Sequence, residues 1–281
     1  MRGACRPGEV FMKLEIFDVG HGACALLSAA GYHVMIDCAS SVDLGFDPGG
    51  LLVSRGITTL DLLIVTNYDE DHVRGLPKLL QKVDVDRIRR NRKVTPDTID
   101  ELKGLEPGPG IAALIDMAKE YTVSVNHLEI PDVTIRTFSH AYPDFEDENN
   151  LSLVTVLELG AAVFVFPGDM ECDGWEALLD AEPDLCGLLK RASVYVASHH
   201  GRVSGICERI FDEVGCSPHL VVISDKGYLY DTQETVPYYR TKAGGWTFRN
   251  TDRWVLTTRS DGMIEFEVGR NPNGRWYLVA R

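Results

Sequence analysis

Carboxylate and imidazole side chains gather in one short segment, residues 66–75, which reads TNYDEDHVRG. Asp69, Asp71 and His72 lie within four positions, directly after the apolar run at 60–66 that predicts a buried strand. A loop at the end of a strand can turn alternate side chains toward one point, and carboxylates with an imidazole suit a divalent metal. An acidic, solvated loop that caps a helix is the alternative, since aspartate favours both places.

Two later segments repeat this pattern of an apolar strand that ends in metal-binding residue types. Residues 161–169 (AAVFVFPGD) end in Asp169, and residues 193–201 (SVYVASHHG) end in His199, His200 and a glycine. One such strand end is usually only a cap, whereas three in one chain favour a shared site. The sequence therefore predicts a metal site where these strand ends meet.

Composition places the chain among globular proteins. It has 281 residues, 44% of them hydrophobic and 25% charged, which is enough apolar material for a large core. Acidic residues outnumber basic ones 42 to 28, and the formal net charge is −14. A protein this acidic repels polyphosphate at long range, so tight binding of duplex DNA is disfavoured.

Cysteine usage and hydropathy predict a location in the cytoplasm and no membrane partner. The seven cysteines are odd in number and have no regular spacing, which favours reduced thiols over a disulfide framework. The first ten residues lack the apolar core of a secretory signal, and the longest apolar stretches are too short to cross a bilayer.

Strand and helix patterns alternate along the chain, and they predict a single domain over 1–281 with a flexible tail at 1–10. Strands are expected at 12–18, 60–66, 121–126, 161–166, 193–198 and 252–268, among others, and helices begin at Pro77 and cover 111–120, 171–180 and 204–214. Irregular structure is expected at 40–50, 92–110 and 139–150, with a surface loop at 227–250.

The ordered motifs resemble those of the metallo-β-lactamase-fold hydrolases, and in particular the hydrolase domain of the competence protein ComEC. DVGHGACALL and the following Ile-Asp at 36–37 are similar to the opening strand pair, and TNYDEDHVRG is similar to the HxDxDHxGG signature. NNLSLV at 149–154, PGD at 167–169, SHHG at 198–201 and TTRSDGMI at 257–264 follow in the family's order. The resemblance covers nearly the whole chain.

This resemblance implies an α/β fold (α+β) of four αββα layers with a metal cleft along one edge of the two sheets. By motif position, Asp69, Asp71 and His72 carry over as metal ligands, and Asp169 as a carboxylate that can bridge two ions. Either His199 or His200 carries over as the remaining imidazole. The resemblance also implies that Asp18 and Asp37 support these ligands from behind the cleft.

The sequence departs from the family pattern at three places. Asn67 replaces the first histidine of the signature, Arg74 replaces a glycine, and Ala23 replaces the polar residue that closes the first turn, where His21 is also new. One metal position, served by Asp71, His72, Asp169 and a late histidine, is intact by motif. The other would rest on Asp69, Asp169 and Asn67. The expected cofactor is one or two divalent ions, Zn²⁺ or Mn²⁺, with Mg²⁺ also compatible with an oxygen-rich ligand set.

The expected activity is hydrolysis of a phosphodiester, in short single-stranded DNA or a nucleotide-like molecule, by a metal-bound hydroxide. Asp71 or Asp169 would hold or deprotonate the water, and His200 would donate a hydrogen bond to the phosphate or the leaving group. Four arginines are candidates for phosphate contacts: Arg74 and Arg202 beside the metal motifs, and Arg89 and Arg90 in the basic run 87–93. A solvated loop is the other interpretation of that run. The alternative functions are a catalytically inactive binding or regulatory module, and hydrolysis of a small ester or lactone.

Overall fold

Seventeen strands and ten α-helices form in the part of the chain that the computed structural model describes, residues 11–104, 106–122, 128–226 and 234–281. The strands are β1 (Phe11–Ile16), β2 (Cys24–Ala29), β3 (Tyr32–Cys38), β4 (Thr59–Leu60), β5 (Leu62–Ile64), β6 (Asp84–Val85), β7 (Ile88–Arg89), β8 (Val133–Phe138), β9 (Val154–Leu159), β10 (Ala162–Phe166), β11 (Val194–Val196), β12 (Leu220–Ile223), β13 (Trp246–Phe248), β14 (Thr251–Arg253), β15 (Val255–Thr257), β16 (Ile264–Arg270) and β17 (Trp276–Ala280). The helices are α1 (Pro48–Ser54), α2 (Glu70–Val73), α3 (Leu76–Leu80), α4 (Pro96–Lys103), α5 (Pro109–Glu120), α6 (Cys172–Ala181), α7 (Pro183–Leu189), α8 (Glu208–Asp212), α9 (Val236–Lys242) and α10 (Thr258–Asp261).

The strands form two large sheets and one small one. The first large sheet has nine strands in the order β14-β13-β17-β16-β1-β2-β3-β5-β7, and the second has six in the order β15-β12-β11-β10-β9-β8. Strands β4 and β6 pair separately. Within the large sheets, β3, β5 and β7 run parallel to one another, as do β10, β11, β12 and β15.

Side-chain alternation along the strands explains the layers. In β5, Leu62 and Ile64 face the core between the two large sheets, whereas Leu63 faces the helices α1 to α5 on the outer side. The six-stranded sheet behaves in the same way: Phe164 of β10 packs into the core between the sheets, and Val165 faces the helices α6 to α9. The result is the predicted αββα sandwich.

The topology gathers several chain segments at one sheet edge. Since β3 and β5 are parallel, and β10, β11 and β12 are parallel, the carboxyl ends within each group lie side by side. A backbone hydrogen bond joins the two sheets there, since Leu153 N–H, before β9, donates to the Thr66 carbonyl, after β5, at 2.7 Å. Within the nine-stranded sheet, Ala23 N–H donates to the Asp71 carbonyl at 3.2 Å. The three predicted strand-end clusters therefore share one edge.

Several local predictions were wrong. The stretch 92–110, predicted irregular, contains α4 and the start of α5, because Thr95 caps α4 and Pro96 occupies its first turn. The single strand expected at 252–268 is interrupted by α10, and the loop expected at 227–250 contains α9 and β13. Most of the strand predicted at 121–126 lies outside the described residues, which omit 123–127, and so do residues 1–10 and 227–233.

The described residues contain cysteines without disulfide bonds and helices that are all short. Every described cysteine is a free thiol, and Cys24, Cys38, Cys207 and Cys216 are buried. None of the described helices is long and apolar enough to span a membrane.

Candidate metal centre

Four side chains converge at the shared sheet edge: Asp71, His72, Asp169 and His200. One donor atom from each lies within 4.8 Å of the other three. His72 Nε2 is 3.0 Å from Asp169 Oδ1, and His200 Nε2 is 3.2 Å from Asp71 Oδ2 and 3.5 Å from Asp169 Oδ1. We call these four residues the His/Asp cluster.

Short segments after β5, β10 and β11 carry the four residues of the His/Asp cluster. Asp71 and His72 belong to α2, which follows β5, and Asp169 follows the Pro-Gly turn at the end of β10. His200 lies in a 3-10 turn, residues 198–201, after β11, where His199 and His200 adopt the left-handed backbone conformation with φ of 50° and 53°. Two adjacent non-glycine residues in this region cost conformational energy, and such strain concentrates at functional sites.

Hydrogen bonds at the far side of both rings direct the Nε2 atoms into the cluster. His72 Nδ1 lies 2.9 Å from Asp37 Oδ2, and Asp37 also accepts hydrogen bonds from the Thr66 backbone N–H and hydroxyl. His200 Nδ1 donates to the Ser224 carbonyl at 2.9 Å. With a proton on each Nδ1, both Nε2 lone pairs face the cluster, which is the arrangement typical of metal-binding histidines.

The imidazoles and carboxylates of the cluster shift one another's pKa values in opposite directions. Burial lowers the pKa of His72, but the carboxylates of Asp169 and Asp37 outweigh burial and hold that pKa well above its usual value. Burial also lowers the pKa of His200, and the charge of Asp169 again reverses the effect. Despite their own burial, the pKa values of Asp71 and Asp169 lie well below the usual range because imidazoles face both carboxylates. Both carboxylates are ionised near neutral pH and face the two imidazoles, so a divalent ion that binds all four donors would displace the protons from the Nε2 atoms.

The His/Asp cluster fits a single divalent ion. His200 Nε2 is buried and makes no hydrogen bond of good geometry to any described residue, as expected of a ligand atom. A cavity of about 30 Å³ is lined by three of the four residues, His72, Asp169 and His200. A cavity of this size accommodates one ion or water molecule. Two imidazole nitrogens and two carboxylate oxygens form a set that Zn²⁺ and Mn²⁺ both accept.

His21 lies against the cluster, although the sequence pattern gave it no role. Its Nε2 is 3.1 Å from Asp71 Oδ2, and its ring centroid is 4.7 Å from that of His200. Burial, followed by the charge of His200, lowers the pKa of His21 to about 4, so this ring is neutral at pH 7. The only signal in the sequence was a departure from the family pattern, since a histidine stands in the glycine-rich turn after β1.

Three predicted ligands lie outside the His/Asp cluster. Asp69 forms an ion pair with Lys103 at 2.5 Å, and Asn67 is buried in hydrogen bonds to Ser152 and to the backbone. His199 Nδ1 is 3.0 Å from Glu171 Oε1, and its Nε2 is 3.1 Å from an Arg202 nitrogen. Each has its polar atoms engaged by neighbouring protein groups, and of the two adjacent histidines it is His200 that joins the cluster.

The predicted supporting carboxylates have different positions. Asp37 contacts His72 directly, as expected for a residue that orients a ligand. Asp18 instead accepts a hydrogen bond from the Gly20 backbone N–H at 3.1 Å, within its own turn. Its contribution is therefore to the loop that carries His21.

The four predicted phosphate-contacting arginines divide into two pairs. Arg74 donates to the His21 carbonyl at 2.7 Å, and an Arg202 nitrogen lies 3.1 Å from Nε2 of His199, the neighbour of His200, so both arginines contact residues beside the cluster. Arg89 and Arg90 donate instead to backbone carbonyls in β8 and near Val94. The pocket of about 230 Å³ beside Arg90 contains no residue of the His/Asp cluster in its lining.

Comparison with known proteins agrees with this geometry. The sequence profile of the Metallo-beta-lactamase superfamily matches residues 17–203, a span that holds all four residues of the His/Asp cluster. The chain belongs to this superfamily. It is 25% identical to ComE operon protein 3 of Bacillus subtilis (strain 168) over 235 residues, which are 75% of this chain and 28% of that protein. The chain thus spans less than a third of the length of this relative.

A solved structure shows the same superfamily fold. The metallo-beta-lactamase fold protein YhfI from Bacillus subtilis superposes with a TM-score of 0.52 at 13% sequence identity, covering 91% of this chain and 99% of that one. Family membership and the buried cluster together identify a metal-dependent hydrolase of the metallo-β-lactamase fold.

Proposed function

We propose that this hydrolase cleaves a phosphodiester bond, in short single-stranded DNA or a nucleotide-like molecule. One observation carries the proposal: two arginines contact residues beside the His/Asp cluster, which is partly exposed at Asp71 and His21. His72, Asp169 and His200 are almost fully buried, whereas the Asp71 side chain is 17% exposed and that of His21 is 25% exposed. Arg74 donates to the His21 carbonyl and Arg202 lies 3.1 Å from His199 Nε2, so we expect an anionic substrate at this exposed end to be attracted by both cations.

The protein groups of the site have separable tasks. When bound by the His/Asp cluster, a divalent ion lowers the pKa of a water molecule and polarises a phosphoryl oxygen. Asp37 and the Ser224 carbonyl hold the two imidazoles in the tautomer that such binding requires. Asp71, the most exposed member of the cluster, is placed to accept a proton from an attacking water. The guanidinium groups of Arg74 and Arg202 hold the anionic substrate through charge-assisted hydrogen bonds.

A short substrate suits this chain better than a long one. The formal net charge of −14 repels a polyanion at long range, and Arg74 and Arg202 can contact only a few phosphate groups. Tight binding of duplex DNA depends on many phosphate contacts. We therefore expect the oligonucleotide rate to change little with length beyond the few nucleotides that reach the cleft.

The hydrolysis rate of a chromogenic phosphodiester tests the proposal. With Mn²⁺ or Zn²⁺ present, we expect turnover of bis-(p-nitrophenyl) phosphate, and a loss of at least about 100-fold in Asp71→Asn and Asp169→Asn, since even outer-shell changes at metal sites cost 10–100-fold. Asp184→Asn is the matched control, because this carboxylate is 81% exposed and pairs with Arg136 on the surface, not with a residue of the cluster. Equal rates in all four proteins would overturn the proposal.

Arg202→Gln separates a phosphodiester substrate from a neutral ester. Loss of one charge-assisted hydrogen bond, about 1.5–3 kcal/mol, is expected to raise the KM for the phosphodiester by roughly tenfold or more. The KM for p-nitrophenyl acetate should not change. Faster turnover of the acetate than of the phosphodiester would favour an ester or lactone hydrolase, and binding of a nucleotide without any turnover would favour an inactive binding module.

A further inference from the structure

The groups predicted to hold a second metal ion are already engaged within the protein. Asn67 is 1% exposed, and its amide NH₂ donates to the Ser152 hydroxyl at 3.0 Å and to the Glu148 carbonyl at 3.2 Å. Its amide oxygen accepts the Asp69 backbone N–H at 2.7 Å. Asn67 thus ties the α2 loop to the segment before β9 and serves as a structural link.

A lysine forms ion pairs with two residues that are hydrogen-bonded to Asn67. Lys103, the last residue of α4, places its ammonium 2.5 Å from Asp69 Oδ1 and 2.6 Å from Glu148 Oε1. The Lys103 side chain is only 12% exposed. Two carboxylates on opposite sides of Asn67 therefore share one internal cation.

This network leads directly to the His/Asp cluster. The Ser152 hydroxyl that accepts from Asn67 also accepts the Asp169 backbone N–H at 3.2 Å. The lysine, its two carboxylates, Asn67 and Ser152 form one continuous set of hydrogen bonds next to the carboxylate predicted to bridge two ions. An ion bound there would have to displace a partly buried ammonium from both carboxylates and break the hydrogen bonds of a buried amide.

We propose that the Lys103 ammonium takes the place of a second metal ion, so that the centre holds one ion per chain. This inference rests on the metal site of the proposed function and assigns Lys103 a charge-compensating, positioning role. The lysine offsets one of the two negative charges of Asp69 and Glu148, and it fixes α4 against α2 whether or not the His/Asp cluster is loaded. The ligand taken by the centre is accordingly one divalent cation, bound by Asp71, His72, Asp169 and His200.

Metal stoichiometry tests this inference without any activity measurement. The count is made by Mn²⁺ titration with elemental analysis of the dialysed protein, in a Cys172→Ser background. That background is needed because Cys172, Glu176 and Cys207 also lie within 4.8 Å of one another and form a separate group of donors. One ion per chain is expected, and two would overturn the inference.

A lysine variant tests the role of the ammonium itself. Lys103→Met leaves Asp69 and Glu148 without their cation, and we expect it to gain a second, weaker Mn²⁺ site with a Kd of roughly 10⁻⁴–10⁻³ M, typical of loosely built carboxylate sites. Lys82→Met, which removes the lysine of another lysine–aspartate pair, with Asp47, is the control and should still bind one ion. No second site in Lys103→Met would overturn the role of the lysine.

Electron paramagnetic resonance of the unsubstituted chain keeps the inference testable if the lysine variant fails to fold. With two equivalents of Mn²⁺ we expect the six-line signal of isolated ions, and a spin-coupled pair would overturn the inference. The outcomes are distinct from those that test the proposed function. Two ions with phosphodiester turnover would overturn only the inference, and one ion without turnover would overturn only the function.

Discussion

Asp37→Asn is the substitution that most sharply tests how the site is built. Asp37 is 2% exposed, and its carboxylate accepts the Thr66 N–H at 2.8 Å and the Thr66 hydroxyl at 2.5 Å, and contacts His72 Nδ1 at 2.9 Å. Its φ of 55° lies in the left-handed region, which asparagine tolerates well, so the backbone should be retained. The substitution therefore changes hydrogen bonding while it preserves shape.

The expected effect is a change of tautomer in His72. The asparagine oxygen can still accept the Thr66 N–H, and its NH₂ group then faces His72 Nδ1, which must accept. The ring proton moves to Nε2, the atom that points at Asp169 Oδ1. A metal ion would have to break the new hydrogen bond from His72 Nε2 to Asp169, and the ring would no longer be held by the charged Asp37 carboxylate. Together these changes cost about 1.5–3 kcal/mol. This corresponds to metal binding roughly 10–100-fold weaker.

Competition against a fluorescent chelator at pH 7.5 measures the metal Kd of both proteins, with circular dichroism to verify folding. Asp61→Asn is the control, since Asp61 also accepts a backbone N–H, that of His33 at 2.8 Å, but does not contact the cluster. Its Kd should equal that of the unsubstituted chain. A change of less than threefold in Asp37→Asn would refute the reasoning, because Asp37 would then not control the Nε2 atom of His72.

Three further predictions concern the loop, the core and the thiols. In Gly22→Ala the new Cβ would lie 2.3 Å from the Asp71 carbonyl oxygen at a φ of +134°, so we expect α2 to shift and metal affinity and hydrolysis to fall together; an unchanged Kd would contradict this packing. Glu15→Gln removes the charge of a buried carboxylate that binds Arg55 through two hydrogen bonds, so urea denaturation should show a loss of about 1–3 kcal/mol with no change in metal Kd, and an equal free energy of unfolding would contradict it. Burial raises the pKa of Cys216 to about 12, so Ellman's reagent at pH 8 should label this thiol only after unfolding, and rapid labelling of the native protein would contradict its burial.

Apolar runs in the sequence identified β5 and β10, and the family resemblance of the ordered motifs predicted the sandwich with its metal site at one edge. Because β5 and β10 lie in different sheets, strand pairing alone could not place Asp71 and His72 beside Asp169. The α4 helix was missed even though Thr95 and Pro96 are a helix-start signal, because the glycines and prolines after it suggested a loop. Its omission also hid Lys103.

Long-range contacts were beyond the reach of the sequence. Lys103 meets Asp69 from 34 positions away, and His21 meets Asp71 across 50 positions, so no local spacing could indicate either contact. The choice between His199 and His200 depends on the left-handed backbone of the turn after β11, which is imposed by packing. Adjacent histidines of identical chemistry cannot be distinguished by residue type.

Anomalous X-ray diffraction from crystals grown with Mn²⁺ or Zn²⁺ tests the central claim most directly. The account predicts one anomalous peak at the shared sheet edge, with Asp71, His72, Asp169 and His200 each contributing a donor atom at about 2.0–2.3 Å. It also predicts the Lys103 ammonium between Asp69 and Glu148 in the same crystals. A peak coordinated by Asn67 and Asp69, or no peak at the His/Asp cluster at saturating metal, would contradict it.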